Sequence, residues 1–132
     1  MGRMLVRLAS RRQPDTYLYH FTRVARLHQE ARRLAKGATH GIEIPYVFHY
    51  QGLAMVDPQD QALSQTMQQC WIQFARNGNP NGPDLPEWPR YDAQTDRHLE
   101  FGDTVRTGSG LYKEGCDLFE RLVRQDTGMD AK

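Results

Sequence analysis

The 132-residue chain has little cysteine, no long apolar run and almost no net charge. Two cysteines, Cys70 and Cys116, are too few to staple a small secreted scaffold, and they lack the Cys-x-x-Cys spacing of a structural zinc site. No stretch approaches the roughly 20 apolar residues of a membrane-spanning helix, so no membrane partner is expected. Residues 1–12 interrupt their apolar positions with arginine and so lack the unbroken core of a signal peptide. No cellular address is legible. Also missing is Gly-x-Ser-x-Gly, the turn whose small residues tolerate the strain of exposing a nucleophilic hydroxyl. Ser109 has glycines as immediate neighbours, one residue too close, and reads as part of a flexible turn, while Ser10 and Ser64 fall in predicted helix.

What is present is ordinary globular material, 39% hydrophobic and 25% charged, of the length of one domain spanning 1–132 with a polar, frayed tail over 126–132. The mean hydropathy of −0.74 is low for a self-contained parallel α/β domain, whose strands are buried on both faces. Two segments qualify as apolar strands, Tyr17–Phe21 and Ile44–Phe48, the second interrupted by Pro45. The formal charge of +1 hides an uneven distribution. Residues 1–39 carry Arg3, Arg7, Arg11, Arg12, Arg23, Arg26, Arg32, Arg33 and Lys36 against Asp15 and Glu30. Such a stripe fits an anion-binding surface, but arginines spaced along a helix more often form a solvated face, which is the expectation here. Without aromatic interleaving or helix-turn-helix punctuation, no nucleic-acid partner is expected.

Met4, Leu5 and Leu8 at helical spacing predict a short helix over 2–12, ended by Gln13-Pro14-Asp15. The aromatic stretch 16–21 predicts a strand, and 22–39 an irregular basic connection with a helical turn around 28–36. Asp57-Pro58 predicts a helix start and Asn77-Gly78 its stop, with Leu63, Met67, Cys70 and Phe74 on one stripe. Residues 79–89 are turn-rich, 98–106 read as a hairpin around Gly102-Asp103, and 111–124 as a helix with Cys116, Phe119, Leu122 and Val123 near one face. Cys70 and Cys116, on apolar stripes, are expected as small buried hydrophobes.

The five histidines, His20, His28, His40, His49 and His98, match no metal-ligand spacing, so no metal is expected. His40 differs in its surroundings. Gly37-Ala38-Thr39 before it and Gly41 after it leave no bulky neighbour, and an apolar segment follows. A scaffold presents a reactive imidazole in that way.

The segment Gly37-Ala38-Thr39-His40-Gly41-Ile42-Glu43-Ile44-Pro45-Tyr46-Val47-Phe48 resembles the active-site histidine segment of the type-B carboxylesterase and cholinesterase family. The motifs around it follow the same order: Tyr17–Phe21 upstream, then Trp71–Asn81 with its Asn-Pro-Asn, Trp88-Pro89-Arg90-Tyr91, His98–Phe101 and Cys116–Phe119. Together they cover about residues 3–124. The resemblance implies the C-terminal part of an α/β-hydrolase fold with an incomplete sheet, and hydrolysis of carboxylic esters through a Ser-His-Glu triad without a cofactor. Only His40 carries over, as general base. Ile42 is expected to line the alcohol side of the pocket, and Glu43 to be structural rather than the triad acid. Cys116 matches a position disulfide-bonded in animal cholinesterases whose partner would lie outside this chain, so a free thiol is expected. The implied partners are the missing N-terminal part of the esterase and its ester substrate. The isolated chain is expected to be inactive, and exposed apolar faces are expected to drive self-association. Two other readings stay open: a cholinesterase-like interaction module without a nucleophile, and a basic anion-binding protein built on residues 1–39.

Overall fold

The computed structural model describes residues 2–25, 37–50 and 57–128. Helix α1 (Gly2–Ser10) leads to strand β1 (Tyr19–Phe21), short helix α2 (Ile44–Val47), long helix α3 (Pro58–Asn77), strands β2 (Arg97–Phe101) and β3 (Val105–Ser109), and helix α4 (Lys113–Thr127). β1 runs parallel to β2, pairing Tyr19 with Leu99 and Phe21 with Phe101, and β3 returns antiparallel to β2. Among the described residues β1 forms an open edge of this three-stranded sheet.

Alternation along the strands decides which side chains reach the core. Phe21, Leu99 and Phe101 face α3 and pack with Leu63, Met67, Cys70, Trp88 and Tyr46. His20, His98 and Glu100 fall on the other face by the same alternation.

α3 forms where its punctuation predicts. Asp57 is extended and accepts a 2.8 Å hydrogen bond from Gln59 N, Pro58 occupies the first turn, and Gly78 closes the helix at φ 74°, a conformation other residues adopt at a cost. The turn-rich stretch after it is an asparagine staircase. Asn79 N bonds to the Asn77 carboxamide, Asn79 Oδ1 accepts from Asn81, and Asn81 closes on Trp88 by accepting from its N (2.7 Å) and donating to its carbonyl (2.9 Å). Trp88 Nε1 in turn donates to Leu18 O, so the Asn-Pro-Asn and Trp-Pro motifs act together to seat one indole in the core against β1.

Several expectations need correction. Ile44–Phe48 is helical rather than extended, because Pro45 sits in the first turn, where its fixed φ suits a helix, and Val47 N bonds back to Glu43 O. The arginines of the N-terminal stripe are not all solvated. Arg3, 3% exposed, bonds to Asp96 and to Asp117 (2.6 Å), and Arg23, 4% exposed, bonds to Asp60 (2.7 Å) and Asp103 (2.8 Å). Only Arg11 and Arg12 are exposed as expected; Arg26, Arg32, Arg33, Lys36 and the turn predicted near 28–36 lie outside the described residues. α4 turns Asp117 toward Arg3 and Glu120 toward Arg7, so Glu120 is buried while Leu118, Phe119 and Leu122 face out. Finally, Ser109 ends β3 rather than lying in a turn, and α4 continues through Asp126 and Thr127. The strand expected over 16–21 shortens to three residues, with Tyr17 making an isolated bridge to Arg90.

Both cysteines are free thiols. Cys70 is fully buried, as expected, and burial pushes its thiol up to about 11, whereas Cys116 is only half-buried. Since the thiolate is the reactive form, brief iodoacetamide treatment of the native chain at pH 8 should label Cys116 and spare Cys70 until denaturant is added. Rapid labelling of a Cys116→Ser variant would contradict this placement.

Candidate active site

His40 is exposed on a turn that begins at Thr39. The turn is closed by Ile42 N donating to Thr39 O (3.3 Å) and Ile44 N donating to Gly41 O (3.2 Å), with Gly41 at φ 82°. On either side the chain is anchored, since Ala38 and Ile42 pack against the hydrophobic core. The imidazole makes no hydrogen bond or ion pair with any described residue. Its ring nitrogens are therefore available to an external group.

Glu43 stands at the N-cap position of α2 without a side-chain capping bond and lines a neighbouring groove; no bond joins it to His40. A Ser–His contact does occur elsewhere. His49 Nδ1 lies 3.1 Å from Ser64 Oγ, but Ser64 is fully buried and donates its own proton to the carbonyl of Tyr46 at 2.8 Å. Ser64 Oγ then accepts from His49 Nδ1 and from Gln68 Nε2 (3.1 Å), which leaves the hydroxyl saturated and shielded from any substrate. This arrangement fixes structure and offers no nucleophile. His98 is buried beside His20, their ring centroids 6.2 Å apart, and burial followed by that neighbour lowers its proton affinity. His28 lies outside the described residues. No group of three or more His, Cys, Asp and Glu side chains is placed to hold a metal ion among the described residues, and none of their helices is long and apolar enough to cross a membrane.

The backbone behind the turn is held by groups that the sequence reading passed over. Tyr46, 1% exposed, donates its phenol to Asp60 Oδ1 at 2.8 Å. The available signal was a pair of polar residues, Asp60 and Ser64, one helical turn apart beside the apolar positions Leu63 and Met67 of α3. Two largely apolar grooves flank Tyr19 at the open edge: one of about 400 Å³ lined by Tyr17, Trp71, Phe74 and Trp88, the other of about 560 Å³ lined by Ile44, Val47, Phe48 and Ile72.

A model of the carboxylesterase family matches residues 2–119. The chain is similar to carboxylesterase 1C of Mus musculus, 33% identical over 113 residues that make up 85% of this chain and 20% of that protein. It is similar to carboxylesterase 4A of Bos taurus, 36% identical over 111 residues, 80% of this chain and 19% of that protein. Among solved structures it is similar to a PNB esterase with a TM-score of 0.62 at 25% identity, covering 76% of this chain and 20% of that one. A carboxylesterase of Geobacillus stearothermophilus gives a TM-score of 0.54 at 30% identity, covering 70% of this chain and 19% of that one. The chain thus spans about one fifth of the length of these relatives.

Proposed function

This chain belongs to the carboxylesterase family and forms part of an α/β-hydrolase fold, and from that premise we propose that it supplies the general base of a carboxylic-ester hydrolase, His40, to a serine and an acid outside these 132 residues. The observation that carries the reading is the imidazole itself: exposed, without a partner among the described residues, and held on a short turn whose flanks are anchored in the core. A base so placed accepts the serine proton during attack on the ester carbonyl and returns it to the leaving alcohol. The nucleophile-bearing N-terminal part of the enzyme is the partner. The open edge of β1 and the two apolar grooves beside it are its docking surface; left uncovered, they and the outward leucines of α4 drive self-association. Ile42 follows His40 on the same turn and lines the alcohol side of the pocket.

Turnover of a short-chain nitrophenyl ester tests the reading, measured for this chain alone, for the N-terminal part of a related carboxylesterase alone, and for the two together. Hydrolysis is expected only from the mixture. Turnover by the lone chain that vanishes in His40→Ala would refute the division of labour. Stable association of the two parts without turnover would refute the role of His40.

A further inference from the structure

We propose that Tyr46 is a positioning residue for His40: α3 grips it at both its phenol and its main-chain carbonyl, and through α2 that grip fixes the turn presenting the imidazole. The inference rests on His40 being the general base. Because the His40 side chain bonds to no described residue, its placement comes from the backbone of residues 38–44 alone. That backbone runs from the turn directly into α2, which has four residues. A helix of that length has no stability of its own, so its direction is set by whatever holds it from outside.

What holds it is a pair of hydrogen bonds at opposite ends of one residue. The phenol of Tyr46 donates to Asp60 Oδ1 (2.8 Å), and its carbonyl accepts from Ser64 Oγ (2.8 Å). Asp60 and Ser64 stand one turn apart on α3, so the two bonds fix both the position and the orientation of α2 against that helix. Each anchor is itself secured. Asp60 is held by Arg23 Nε (2.7 Å), and Arg23 is tied to the β2–β3 hairpin through Asp103 (2.8 Å) and through its own N to Phe101 O (3.3 Å). Ser64 receives Gln68 and His49. Burial, together with the Asp60 carboxylate, pushes the Tyr46 phenol upward, so it remains a donor at any pH the enzyme would meet. Phenylalanine would fill the same space but could not make the first of these bonds.

The test is ¹⁵N relaxation on the isolated chain, comparing the parent with Tyr46→Phe and with Ser64→Ala, each of which removes one oxygen and keeps the fold's packing. Order parameters for residues 38–44 should fall from about 0.85 to below about 0.6 in both variants, while those of 97–109 stay at the parent value. In the enzyme reconstituted with its N-terminal part, kcat should fall on the order of a hundredfold with KM within twofold, since a misplaced base costs rate rather than binding. A His40 turn as rigid in Tyr46→Phe as in the parent overturns the proposal, and so does loosening of 38–44 and 97–109 together. The relaxation contrast needs no turnover, so it survives or fails independently of the esterase reading.

Discussion

Replacement of His40 by alanine in the reconstituted ester hydrolase is expected to lower kcat on the order of a millionfold, with KM changed by no more than a few-fold. The size follows from the chemistry. A serine hydroxyl is a weak nucleophile unless its proton is taken as it attacks, and the same base must reprotonate the departing alcohol. No other described histidine can step in. His49 is committed to Ser64, while His20 and His98 lie on the far face of the sheet from the core that anchors the His40 turn. What survives in the variant is the contribution of the oxyanion hole and of substrate binding, supplied by the N-terminal part. Nitrophenolate release under single-turnover conditions measures it, with His20→Ala as the control that should keep the parent rate. A His40→Ala enzyme retaining more than about a hundredth of that rate is incompatible with the proposed role.

Arg23→Ala should destabilise the chain by about 3–5 kcal/mol, read as a shift in the urea midpoint followed by circular dichroism. Folded domains have only about 5–15 kcal/mol in hand, so this single truncation removes a large share. Arg23 is the cation for Asp60, which is fully buried and already has one oxygen, Oδ2, without a hydrogen-bond partner among the described residues. Removing the guanidinium would leave that carboxylate in the core with the Tyr46 phenol as its neighbour. The cost comes from the stranded charge rather than from the worth of the pair. A triple variant, Arg23→Met with Asp60→Leu and Tyr46→Phe, should therefore recover most of the lost stability, since it contains neither charge and leaves no phenol without its acceptor. If the triple variant is as unstable as Arg23→Ala, packing rather than charge is the cause.

The sequence disclosed the fold wherever the signal is local. Asp57-Pro58 and Asn77-Gly78 bracket α3 because a cap and a left-handed stop act within a few residues. The hairpin around Gly102-Asp103 was legible for the same reason. Where partners lie far away, it was silent. Nothing near Arg3 signals that its guanidinium will be buried, since the acids that receive it are 93 and 114 residues further on. Ile44–Phe48 was ambiguous because a short apolar run fits a strand or a buried turn of helix equally, and the decision falls to the contacts of Tyr46 with α3. His40 stood out by its small neighbours, yet its role came from the resemblance of the surrounding motifs. The groups that hold its turn, Tyr46, Asp60 and Ser64, form a pattern only once α2 and α3 are packed together.

The buried ion pairs of α1 also bear on the order of events during synthesis. Arg3 leaves the ribosome well before Asp96 and Asp117, to which it bonds, because they lie 93 and 114 residues further along the chain. Until then a helix carrying two arginines on its inward face has no anions to meet, and burying them unpaired is prohibitively costly. Seating of α1 must therefore wait until those acids have been made. Over that interval the growing chain carries an undocked amphipathic helix, which gives holdase chaperones a defined segment and a defined interval in which to act.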